Sequence, residues 1–450
     1  MFSSIGFGIL YSTLTLFLIK NLHVEESIAL SVVGVFIALR YGLSLINGLI
    51  VGRWTSYINA LIIGILLQTI SIFLIYQSNF NFILGCAIFL SGNLASFTSI
   101  NMIITEHVAS DQSREKAFFW NYTAMNLGNV LGYSIGGYSQ LINNFKSINY
   151  IAVILMLVAL VLSFIYKELL HDIHSHYSKL TNNKKLIGNI KFIVALVIIT
   201  IFIKKILENS VISSTSLMVV ISITVVLLLG YNYQISKNRN SITFIVLAIS
   251  WLFFWSLYFL IPTGLTLFIN YSTTGKLFGI AVTPAWLTNI NSVMVIFGAP
   301  LLGTLFIKFD KKNQWTTIHK FIIGILFLAL AFGLLVNRIL FADTSLVSLE
   351  WVALTYVFIS LSELFIAPIG FAAVGKYVSY KHQGIMTGMW IALLGLGGLI
   401  ASKLSGFINI TNHNTNQTNT SFITLFASLF ALTLIFVMIL YTFKSLSFKK

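Results

Sequence analysis

The sequence predicts an all-α integral membrane protein: two sets of six transmembrane helices, twelve core helices in all, with an extra helix pair between them. Three observations predict this. The chain is 57% hydrophobic and 9% charged, with a mean hydropathy of +0.92, whereas soluble chains carry about 25% charged residues. Its apolar runs repeatedly reach the ~20 residues that a bilayer crossing needs. Its basic residues alternate between rich and poor loops along the chain. The same composition excludes a disordered chain, which requires low hydrophobicity.

In order, apolar runs fall near 3–19, 28–52, 57–77, 80–104, 117–141 and 147–166. A polar stretch, 167–189, follows, then runs near 190–207 and 211–233. The last six lie near 242–270, 283–307, 319–337, 350–375, 384–407 and 419–443, which makes 14 candidate helices. The expected organisation is an N-terminal half at 1–166, a basic linker with two extra helices at 167–240, and a C-terminal half at 241–450. Two similar sets of helices suggest halves arranged around a central cavity. The extra pair has few polar residues able to line a pathway and is expected to be peripheral.

Charge sets the orientation. The net charge is +15, and in a soluble chain that would suggest nucleic acid. Here the charges sit in short loops. With the N-terminus inside, the inward loops hold 19 basic residues and the outward ends hold 7, which predicts an N-in, C-in topology in a lipid bilayer. No nucleic-acid partner is expected. The first apolar run starts almost at Met1 and reads as helix 1, not as a signal peptide. The lone cysteine, Cys86, can form no internal disulfide. His171, His174 and His176 cluster in the linker without a cysteine or carboxylate pattern to complete a metal site, so no metal is expected. The Asn-rich loop 408–421 matches glycosylation triplets but reads first as compositional bias.

Two charges remain inside spans, Arg40 and Glu363. A charge at a helix centre costs about 2.5–3.5 kcal/mol on insertion scales, so each should face protein or a watery cavity. Glu363 is a candidate proton-titrating or amine-binding carboxylate. Arg40 could hold an anionic group, pair with Glu363, or lock two helices. Asn126, Asn129, Asn289 and Asn291 add neutral polar groups, which interhelical hydrogen bonding would also explain. The prolines Pro262, Pro284, Pro300 and Pro368 all lie in the second half, as hinges or static kinks. There is no Gly-rich loop ending in Lys-Ser/Thr, no HExxH and no GxSxG. An enzyme is therefore not expected, and any accumulation would draw on an ion gradient, with no cofactor.

Several segments together resemble the proton-dependent oligopeptide transporter family of the major facilitator superfamily. SVVGVFIALRYGLSLINGLIVGRW (31–54) is similar to the family's second helix, with Tyr41 at its tyrosine. SREKAFFWNYTAMNLGNVLG (113–132) looks like its FxxFYxxINLGA segment, with Asn126 at the asparagine. WSLYFLIPTGLTLF (255–268) resembles helix 7, and PAWLTNINSVMVIFGAPLLG (284–303) places Asn291 at the family's asparagine. SELFIAPIGFAAVGKYVSYKHQGIMTGMW (362–390) is similar to GELFxSPxGLxxxxKxxPxxxxGxMMGxW and is the most specific block. The resemblance implies the major facilitator fold. It implies that Asn126, Asn291 and Glu363 receive a peptide's amino terminus, that Glu363 couples to protons, and that Tyr41, Trp255 and Trp390 line the cavity.

The departures are as specific. The acid and first arginine of the family's helix 1 motif would precede Met1, and its second arginine falls on Gly8. Its helix 4 lysine is lost within Phe97-Thr98-Ser99, and its helix 7 glutamate falls on Phe259. The cations that hold a peptide carboxylate are missing, and Arg40 is the candidate replacement. The expectation is a proton-coupled secondary transporter of di-/tripeptides or peptide-like molecules. It would work by alternating access, as a monomer in a bacterial inner membrane. The alternatives are a transporter of a siderophore or amine-like compound, or a non-transporting scaffold or sensor.

Overall fold

The computed structural model describes residues 1–43, 50–77, 82–108, 111–236, 239–310, 316–342, 346–410 and 415–447. Expectations that fall on Lys237, Lys311, Lys312, Asp343, Lys449, Lys450 and part of the Asn-rich loop lie outside the described residues.

The helices are α1 (Phe2–Leu16), α2 (Glu26–Gly42), α3 (Tyr57–Gln77), α4 (Phe82–His107), α5 (Asp111–Leu141), α6 (Lys146–Ile165), α7 (Asn182–Glu208) and α8 (Ser210–Ser236). They continue as α9 (Arg239–Tyr258), α10 (Thr266–Ser272), α11 (Pro284–Asp310), α12 (Thr317–Ala342), α13 (Leu349–Tyr377), α14 (Gln383–Ser405) and α15 (Thr415–Ser447). A π-turn at Ile261–Leu265, with Pro262 in its first turn, joins α9 to α10 in one rod, so the described residues carry the fourteen rods that the sequence predicts. Proline removes a backbone donor, and the widened turn accommodates that loss.

Eleven of these rods are long and apolar enough to cross a membrane. The helix α5 falls short because Asn121, Asn126 and Asn129 and a run of glycines interrupt its apolar surface. Polar residues in an otherwise apolar helix are expected where it faces protein or water.

Packing divides the chain into two units, one of residues 1–23 and 35–215, the other of residues 24–34 and 216–450. The division differs from the expected boundaries. The linker and α7 pack with the first unit, and the start of α2 packs with the second. Within the first unit α1 packs on α5, and α3 packs on both α4 and α6. Within the second, α9 packs on α14, and α12 packs on both α13 and α15. These three pairs of the first unit recur in the second between the helices six core positions later, which is the mark of an internal repeat.

Small residues set the closest crossings. A Cβ on Gly64 would meet the Gly92 carbonyl at 2.6 Å, and one on Gly92 would meet the Gly64 carbonyl at 2.7 Å. The α1–α5 crossing is as tight: a Cβ on Gly8 would lie 3.0 Å from the Asn129 carbonyl, and one on Gly132 would lie 2.5 Å from the Ile5 carbonyl. A long side chain at position 8 would therefore push α1 and α5 apart.

The segment 167–181 is tied down. Both carboxylate oxygens of Asp172 accept from the Tyr57 N–H, at 2.8 and 3.1 Å, and so cap α3. Glu106, at the end of α4, accepts from the Ile173 and His174 N–H groups at 2.9 and 3.2 Å. The helix α7 buries Phe192, Leu196, Ile203 and Leu207, while α8 exposes most of its apolar surface, as suits a peripheral helix facing lipid.

Candidate functional site

In the second unit, three helices bring four polar side chains together. Glu363 on α13 is 7% exposed. The Asn291 amide, on α11, donates to Glu363 Oε2 at 2.7 Å and to the Ser360 hydroxyl at 3.2 Å. The Tyr258 hydroxyl, at the end of α9, donates its one proton to Asn291 Oδ1 at 3.1 Å, and lies within reach of the Glu363 carboxylate as the alternative acceptor. Tyr258 thereby fixes which face of the amide meets the carboxylate. Among the described residues no ion pair involves Glu363. Neutral donors hold a carboxylate in place while leaving it free to take a proton or an amine.

An aromatic cluster adjoins Tyr258. Trp255 meets Tyr258, Phe254 and Trp251 edge-on, with ring centroids 4.9, 5.0 and 5.4 Å apart. Trp251 donates its Nε1–H to the Trp390 carbonyl at 3.2 Å. Trp390 is fully buried, stacked on Phe244 and tilted against Trp251, each with a centroid distance of 5.2 Å. Among the described residues, the Nε1–H groups of Trp255 and Trp390 are buried without a hydrogen-bond partner, which is uncommon for buried donors.

In the first unit, the Arg40 guanidinium sits 2.9 Å from the centre of the Phe7 ring and 5.5 Å from that of Tyr41. Its Nη1 is buried without a partner, and among the described residues it makes no ion pair. Arg40 lines a small cavity of about 30 Å³, partly open to solvent, together with Gln68, Asn93, Ser96, Asn101 and Asn121.

The structure thus joins Glu363 to Asn291, and it joins Trp255 to Trp390 through Trp251. It places Tyr41 beside Arg40. Asn126 lies in the first unit, and its amide turns back to donate to the Tyr122 carbonyl of its own helix at 3.1 Å. Tyr258, Ser360 and Gln68 were not singled out by the sequence. Gln68 had a readable signal, since it is a lone amide in ALIIGILLQTISIFLIY.

Repeated halves of apolar rods and, among the described residues, a buried carboxylate held by neutral donors suit a multi-pass membrane transporter. A family model described as the POT family matches residues 105–421. The chain belongs to the POT family. It is 25% identical over 84% of its length to the peptide transporter YePEPT of Yersinia enterocolitica, covering 79% of that protein. It is also 25% identical over 89% of its length to dipeptide and tripeptide permease B of Salmonella typhimurium, covering 84% of it. Among solved structures, a peptide transporter POT in complex with sulfate superposes with a TM-score of 0.81 at 20% identity, over 97% of this chain and 92% of that one. A POT family transporter in complex with a thioalcohol-conjugated peptide also gives 0.81, at 22% identity, over 97% and 93%. At these identities the superpositions speak for the fold.

Proposed function

We propose that this chain is a proton-coupled transporter of di- and tripeptides or peptide-like molecules, working by alternating access as a monomer in a bacterial inner membrane, with both termini cytoplasmic. The observation that carries this is the buried Glu363 carboxylate, oriented by Asn291 and Tyr258 and opposed by no cation among the described residues. Such a group alternates between two occupants, a proton and the ammonium of a cargo. If the two compete, proton entry on one side and cargo release on the other are linked. Asn291 and Ser360 supply neutral contacts for the amino end, Trp255, backed by the buried Trp390, supplies the aromatic wall, and Asn126 is the polar contribution of α5. Arg40, flanked by Tyr41, receives the cargo's anionic group. The proton gradient is the energy source and no cofactor is required. The names of the permeases that this chain resembles support peptide cargo, and the excess of inward basic residues supports the orientation.

A second reading, an amine cargo with no peptide bond, draws on the Trp251–Trp255–Trp390 cluster, since aromatic faces attract ammonium groups. Reconstituted protein should take up labelled dialanine against its gradient only when the outside is more acidic. Dipeptides should raise its melting temperature, since a ligand of the folded state stabilises it. Amines or siderophores that stabilise the protein where dipeptides do not would overturn the peptide reading.

A further inference from the structure

The cavity of the first unit holds two unmet hydrogen-bonding demands of opposite kind. Among the described residues, Arg40 Nη1 is a buried donor without an acceptor, and Gln68 Oε1 is a buried acceptor without a donor. Gln68, on α3, is 1% exposed, and its Nε2 donates to the Ser96 hydroxyl at 3.1 Å, so its carbonyl end is the free one. Ser96 and Asn93 come from α4, and Asn101 of α4 accepts from Asn121 of α5 at 3.4 Å. Among the described residues no acidic side chain lines the cavity. Stacking on Phe7 stabilises the guanidinium in part, but it supplies neither a countercharge nor an acceptor for Nη1. Arg40 is part-buried, and its enclosed Nη1–H is unfavourable without an acceptor unless an anion completes it.

We infer that this cavity recognises a carboxylate together with the N–H of the same residue, that is, the carboxy-terminal residue of a linear peptide bearing an unsubstituted amide. The carboxylate meets Arg40, and the amide N–H meets Gln68 Oε1. One cation with several neutral amides suits a monoanion and leaves a dianion under-compensated. The N–H requirement distinguishes cargoes of equal charge: a carboxy-terminal proline or N-methyl residue keeps the carboxylate but leaves Gln68 Oε1 buried and unpaired. This inference rests on the peptide reading and adds to it a specificity-determining residue, Gln68.

The test compares binding of Ala-Ala and Ala-(N-methyl)Ala to the wild-type protein in detergent or proteoliposomes, so it needs no variant. The N-methyl dipeptide should bind about 5- to 150-fold more weakly, the equivalent of the ~1–3 kcal/mol cost of an unsatisfied buried acceptor at about 1.4 kcal/mol per tenfold. Gln68→Leu and Gln68→Met, checked for folding by their melting curves, should bind the two peptides alike. Arg40→Gln should lose the preference for Ala-Ala over Ala-Ala-amide. Equal wild-type affinity for the N-methyl and parent peptides overturns the inference and leaves peptide transport standing. Failure of both peptides to bind, with an amine or siderophore binding instead, overturns the inference and the peptide reading together.

Discussion

Replacing Asn291 by alanine removes the donor that holds Glu363, and its effect should depend on whether position 363 carries a charge. In the wild type the Asn291 amide donates to a buried carboxylate at 2.7 Å. Hydrogen bonds to charged groups contribute about 1.5–3 kcal/mol and neutral ones about 0.5–1.5 kcal/mol. In the Glu363→Gln background the same contact is amide to amide, and only the smaller amount is at stake. The difference, about 1–2 kcal/mol, is the coupling between the two residues. It corresponds to about 5- to 30-fold in dipeptide affinity at 1.4 kcal/mol per tenfold. The assay is a double-mutant cycle on the dissociation constant of dialanine, read by calorimetry or thermal shift. The Asn291→Ala loss in the wild type should exceed its loss in E363Q by that factor. Equal losses in both backgrounds would refute the idea that Asn291 acts through an ionised Glu363.

Three further outcomes follow from the fold. Gly132→Ala places a Cβ 2.5 Å from the Ile5 carbonyl; overpacking of this kind costs about 1–3 kcal/mol, so the melting temperature should fall, while a control such as Gly230→Ala, whose Cβ meets nothing within 4 Å, should leave it nearly unchanged. Asp172→Ala should destabilise the protein by about 0.5–2 kcal/mol through loss of the cap on α3, measured by thermal melting against Asp172→Asn, which keeps an acceptor for the Tyr57 N–H. Burial pushes the Asp172 carboxyl above its ordinary value of 3.8. Its contribution is then fully present at low pH and is lost as pH rises through the raised value, so Asp172→Asn should flatten that part of the melting-versus-pH curve, and an unchanged slope would remove the burial argument.

The parts of the fold that were legible in the sequence follow from local chemistry. The apolar runs announced fourteen rods because a bilayer tolerates little else. Glu363 stood out as the acid well inside a span, and the structure gives it a partner set that such a group requires. Tyr258 was not legible, because a tyrosine in WSLYF reads as one more aromatic in a packed stripe; only its meeting with Asn291, 33 positions away, reveals its role. Ser360 reads as a small packing residue until Asn291 donates to it. The Asp172 cap on Tyr57 joins residues 115 positions apart, and no local pattern encodes it. Gly8 was visible as a departure from the family's arginine, and the close passage of the Asn129 backbone explains why a glycine suits that position. Asn126 shows the converse: a polar residue in a matching motif whose amide is engaged by its own helix.

The central claim is that Glu363 links cargo movement to protons. Its most direct test is uptake of labelled dialanine by proteoliposomes containing wild-type or Glu363→Gln protein, with and without an inward proton gradient, beside counterflow into vesicles preloaded with unlabelled peptide. The account predicts that the wild type accumulates peptide only with the gradient, and that Glu363→Gln exchanges peptide in counterflow but never accumulates it. Accumulation by Glu363→Gln to the wild-type level, with the same dependence on the gradient, would contradict it.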